Sequence, residues 1–129
     1  MAERPLSPHI SVYRWAYTMT LSILHRATGL ALSLALIGLT LWLIAIAFGP
    51  AQYAAWIPWL ASWPAMLLYA LAIVALVFHF CNGLRHLAWD LGFGYERREA
   101  RATGWAVIVA TVLGSALCLY FLIRHGASP

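Results

Sequence analysis

Between Arg26 and Arg85 the chain runs 58 residues without a formally charged side chain. Soluble domains carry charge on roughly a quarter of their residues, so a gap of this length does not fit one. A membrane-spanning helix takes about 20 apolar residues, and the gap therefore holds two spans and a connector. A second uncharged run, Ala102–Ile123, is 22 residues long and adds a third span. With 64% of the residues apolar and 9% charged, disorder is excluded along with a soluble fold. All the basic residues are arginines, eight of them in short separate regions. They make no basic stripe, so no nucleic-acid partner is expected; they read as charges flanking spans.

The predicted fold is an all-α membrane protein in one domain, 1–129. It consists of a bundle of three transmembrane helices at about 21–48, 63–91 and 103–124, preceded by an interfacial arm over 1–20. Tyr13, Trp15 and Tyr17 would anchor the arm at the bilayer surface. Gly49, Pro50, Pro58 and Pro64 mark the first connector as helix-breaking, with Trp56, Trp59 and Trp63 at headgroup level. Arg4, Arg14 and Arg26 precede or open the first span, and Arg97, Arg98 and Arg101 lie in the second connector, while the first connector is uncharged. This asymmetry places the N-terminus and the second connector inside. The opening Met-Ala-Glu-Arg-Pro-Leu has no apolar stretch of the kind a cleaved signal needs, and a bacterial inner membrane is the expected location, ahead of a mitochondrial one. Cys81 and Cys118 form no metal spacing and read as small buried apolar residues.

Ionisable groups at membrane depth are costly and face a bundle interior or a cavity. In the second span His79, Gly83, His86 and Asp90 recur at offsets that put them in one stripe. His79 is near mid-membrane. It suits either an interhelical hydrogen bond to Ser, Thr or backbone, or ligation of a haem iron. His86 and Asp90 could form a clasp between themselves, or hold a propionate or pass protons. Arg85 is read as snorkelling to solvent or lipid phosphate. In the first span, Ser22, Arg26, Gly29 and Ser33 share a face. His25 and Arg26 lie at about the depth of His86, in a layer suited to a propionate or a quinone headgroup, or to plain positive-inside anchoring. Haem held by His25 and His86 within the chain is an alternative. No carboxylate pair, phosphate loop or nucleophile–base set is present, so no catalytic residue is expected, and any redox chemistry needs electrons from other subunits.

Arg4-Pro5-Leu6 followed by Ser22-Ile-Leu-His25-Arg26-Ala-Thr28 resembles the N-terminal signature of the cytochrome b membrane-anchor subunits of succinate dehydrogenase. His79-Phe-Cys-Asn-Gly83-Leu-Arg85-His86-Leu-Ala-Trp-Asp90-Leu-Gly92 resembles their second signature. Spacing and order both match, over essentially the whole chain. The resemblance implies a b-type haem with His79 as its axial iron ligand and a second membrane-anchor subunit supplying the opposite histidine. It implies His25 and Arg26 near the propionates, with His86 in support. Ser22 and Arg26 would lie at a ubiquinone site. Ubiquinone would be the substrate, and a flavoprotein and an iron–sulfur subunit would be partners in the bilayer-bound complex. A purely structural anchor without functional haem, a fumarate reductase anchor, and a small transporter or proton channel using the His79–His86–Asp90 stripe are the competing expectations.

Overall fold

The computed structural model describes residues 15–126, and the side chains of 125 and 126 are outside that description. Arg4, Pro5, Leu6, Tyr13 and Arg14 lie outside the described residues. Four helices follow in chain order: α1 Tyr17–Ala47, α2 Pro50–Leu60, α3 Trp63–Asp90 and α4 Arg97–Gly126. Of these, α1, α3 and α4 are long and apolar enough to cross a membrane. The fold is an all-α transmembrane bundle, with α3 packed between α1 and α4. Little of it is buried within the chain: Leu21, Phe78 and Val107 make the apolar core, with Tyr17, Cys81 and Ile108 against it. Leu30, Leu34, Leu68, Leu113 and many other large apolar side chains are exposed, as in a bundle whose outer surface meets lipid or other apolar chains.

Several boundaries differ from those read off the charge pattern. α1 begins four residues inside the expected arm, because Tyr17 docks on α4: its hydroxyl donates to the Arg101 carbonyl and its ring stacks on Trp105. α4 starts at Arg97 rather than 103. Charge marks where a span meets water, not where helical hydrogen bonding ends, and Arg97 to Arg101 simply continue α4 beyond the apolar layer. The connector expected to be irregular is the helix α2. Pro50 sits in its first turn and Pro64 in the first turn of α3, where a missing N–H costs nothing. These prolines begin helices; Pro58 alone is interior, near the end of α2. Cys81 is half-buried and Cys118 exposed. The expectation that both are buried fails at Cys118, because a span is apolar on every side and residue type does not tell inside from outside.

α3 ends in a glycine cap. Gly92, at φ 88°, donates to the Trp89 carbonyl at 2.8 Å, and Phe93 N–H donates to the Ala88 carbonyl at 3.0 Å. This paired arrangement is the Schellman motif, which favours glycine at the left-handed position. Close approach to α4 also depends on glycine. A Cβ on Gly104 would lie 2.7 Å from the Tyr17 hydroxyl, and one on Gly114 would lie 3.0 Å from Val77 Cγ1. Small residues at these points let helices approach without a hydrophobic drive between them.

Candidate functional site

The α1–α3 contact brings together three of the predicted site residues. The His25 ring stacks on His79 with centroids 4.0 Å apart and planes 10° from parallel. The His86 ring is 4.9 Å from His25 and meets the Trp89 edge at 5.2 Å. His79 lies 11 residues before the end of α3, about 16 Å along the helix axis.

The hydrogen bonds of His79 settle its tautomer. Its Nδ1 lies 3.1 Å from the His25 carbonyl oxygen and 3.3 Å from Thr28 Oγ1. A carbonyl oxygen only accepts, so Nδ1 carries the proton and donates it. Nε2 is then left with a free lone pair. A histidine with one ring nitrogen held by backbone and the other free is arranged as a metal-ligating imidazole is. The two readings of His79 drawn from sequence are thus compatible: the interhelical hydrogen bond exists, and it uses the nitrogen that ligation does not need. Among the described residues no three His, Cys, Asp or Glu side chains are grouped to hold a bare ion. The one donor left over on the His79 ring is Nε2, a single imidazole nitrogen of the kind that could hold a metal carried in a macrocycle. His25 Nδ1 is buried without a partner, and such an atom calls for a ligand or water as its complement.

His25 and His86, the alternative pair for holding a haem within the chain, have their rings 4.9 Å apart and tilted by 39°. Of the readings open for His86 and Asp90, the clasp between them is not formed among the described residues. His86 packs on aromatic rings, while Asp90 at the end of α3 is exposed.

Among the described residues Ser22 and Arg26 make no hydrogen bond or ring contact with the histidines, but they share a face of α1 with Gly29, whose Cα lies against the His79 ring. They neighbour each other one turn apart. Ser22 is half-buried and Arg26 exposed. A guanidinium exposed on a membrane span needs water, an anion or a partner chain.

Arg85 reverses its expectation. It does not snorkel: it is 6% exposed. Its Nε donates to Thr103 Oγ1 at 3.1 Å, Nη2 to the Ala100 carbonyl at 3.0 Å and Nη1 to Asn82 Oδ1 at 3.4 Å. The guanidinium also lies 4.0 Å over the Trp89 ring, a favourable cation–π placement. Asn82, with no exposed surface, donates in turn to the Leu21 carbonyl at 3.4 Å. Asn82 and Arg85 therefore tie α1, α3 and α4 together at the level of the histidines, between His79 and His86 along α3. Sequence reading gave no role to Asn82, Thr28, Thr103 or Gly104. The spacing of Asn82 and Arg85, three apart on one helix face, was the available signal; the partners across helices carried none.

Residues 1–118 match the family described as succinate dehydrogenase/fumarate reductase transmembrane subunit. The chain is 39% identical to a succinate dehydrogenase cytochrome b556 subunit of Rickettsia felis, over 86% of each chain. It is 42% identical to the mitochondrial cytochrome b560 subunit of Bos taurus, over 88% of this chain and 68% of the relative. The human b560 subunit is 40% identical over 88% and 69%. With the family match running over residues 1–118 and relatives of about 40% identity covered over most of this chain, the chain belongs to the family of succinate dehydrogenase cytochrome b membrane-anchor subunits.

Proposed function

We propose that this chain anchors a succinate:ubiquinone oxidoreductase, holds one side of a b-type haem and lines part of the ubiquinone-reduction site. The observation that carries the reading is the commitment of His79 Nδ1–H to the His25 carbonyl, which leaves Nε2 as the nitrogen that would hold the haem iron. A second membrane-anchor subunit would supply the opposite histidine. When bound, the haem supplies a one-electron carrier within the membrane. His25, with its unpartnered Nδ1, and Arg26 would face the propionates, and His86 would support His25 by ring contact.

Succinate oxidation releases two electrons and two protons in the flavoprotein subunit, and the electrons pass through an iron–sulfur subunit to ubiquinone. The part played by this chain is to bind and orient the quinone. The Ser22 hydroxyl and the Arg26 guanidinium are adjacent donors on one face, able to hydrogen-bond a quinone carbonyl oxygen and stabilise negative charge gathering there. The chain performs no dehydrogenase chemistry. A bacterial inner membrane with a cytoplasmic N-terminus is the proposed setting, the side carrying Arg26 and Arg97 to Arg101 being the inner one.

The test is a reduced-minus-oxidised optical spectrum of the purified complex. His79→Ala should abolish or alter the haem bands, and an unchanged spectrum would refute the ligand assignment. Wild-type complex without haem bands would favour the purely structural anchor.

A further inference from the structure

We infer that Thr28 and Gly29 are positioning residues for the His79 imidazole. One turn of α1 presents three features to that ring. The first is the His25 carbonyl, 3.1 Å from Nδ1. The second is the Thr28 hydroxyl, 3.3 Å from the same nitrogen. The third is the bare Cα of Gly29, where an added Cβ would stand 3.1 Å from His79 Cε1 and 3.6 Å from Nδ1. The chemistry assigns each a direction. Thr28 Oγ1 lies 2.8 Å from the Leu24 carbonyl and 3.0 Å from the His25 carbonyl, two acceptors of the preceding turn that take its single proton. Its remaining lone pairs are then free to accept from Nδ1–H. The Nδ1–H bond is shared between two oxygens of α1, and the ring lies close on the backbone because Gly29 has no side chain. The stacked His25 ring covers the imidazole further. Together these contacts restrict rotation of the His79 ring and set the direction in which Nε2 points.

The inference rests on the haem reading above and deepens it. Hydrogen bonding at Nδ1–H raises the basicity of Nε2, so a ligand so held favours the oxidised metal. Removing one acceptor should raise the midpoint potential. Thr28→Val keeps the shape and removes the oxygen; Thr28→Ser restores the oxygen. Gly29→Ala forces the ring away from α1 by a few tenths of an ångström and lengthens both hydrogen bonds without touching either acceptor.

The experiment uses the whole purified complex, with potentiometric titration of the haem bands and paramagnetic resonance of the oxidised haem, whose spectrum reports axial-ring orientation. Thr28→Val should shift the potential upward or lose haem, Thr28→Ser should stay near wild type, and Gly29→Ala should change the resonance spectrum. If Thr28→Val and Gly29→Ala both keep wild-type potential and spectrum, the positioning role is wrong while the haem reading stands. If Thr28→Val and Thr28→Ser behave alike, the hydroxyl is not the operative group and the role is equally wrong. Wild-type complex lacking haem bands would overturn both readings at once.

Discussion

A charged side chain enclosed by helices needs a reason to be there, and Arg85 has one in its hydrogen bonds rather than in an opposing carboxylate. Its guanidinium spends donors on Thr103, Ala100 and Asn82, so removal would leave buried acceptors without partners. Arg85→Met should destabilise the folded subunit by about 2 kcal/mol, a scale set by hydrogen bonds between membrane helices. Arg85→Lys should recover little, since one ammonium cannot span three acceptors in the guanidinium geometry. Thermal unfolding of the detergent-solubilised complex checks both. Arg26 is the opposite case: it is exposed on α1, and its substitution should leave folding nearly untouched. The two arginines are indistinguishable by composition. What separates them is the neighbour each helix face meets, and Arg85 meets α4.

At the scale of elements, the helix ends follow local chemistry. Pro50 and Pro64 start helices because their missing N–H groups fall where no intrahelical acceptor exists. Pro58→Ala should therefore lengthen protection of α2 in hydrogen exchange by restoring an interior bond, whereas Pro50→Ala should change it little. At the other end of α3, Gly92 at φ 88° should resist substitution. Gly92→Ala places a Cβ in the left-handed region at a cost of about 1 kcal/mol, visible as a lowered unfolding temperature. Gly104 is a matter of packing instead: Gly104→Val drives a side chain into Tyr17 and Leu21. It should break the Tyr17–Arg101 hydrogen bond and free the first turn of α1, read as faster exchange over 17–20.

For the whole molecule, the prediction concerns assembly against turnover. No partner within the described residues ties down Ser22 or Arg26. Ser22→Ala and Arg26→Leu should leave the complex assembled, with its subunits copurifying, while quinone reduction falls at least about tenfold, the loss of one good charge-assisted hydrogen bond. Retained turnover in both variants would remove the quinone role from this face. The three spans, the deep histidine and the pairing of the two motifs were legible in one dimension. Lipid permits few charges, and helical period alone lines up His79, Gly83 and His86. The start of α1, the helix in the first connector and the burial of Arg85 were not, because each depends on a contact or cap whose meaning appears only when helices meet. Sequence by itself determined that the chain crosses the bilayer and which polar groups travel with it, since the transfer cost of a residue is a property of the residue. Only the tertiary structure decided which nitrogen of His79 is engaged and which stays free, because that turns on a carbonyl oxygen 54 positions away in the chain, brought within 3.1 Å by the packing of α1 on α3.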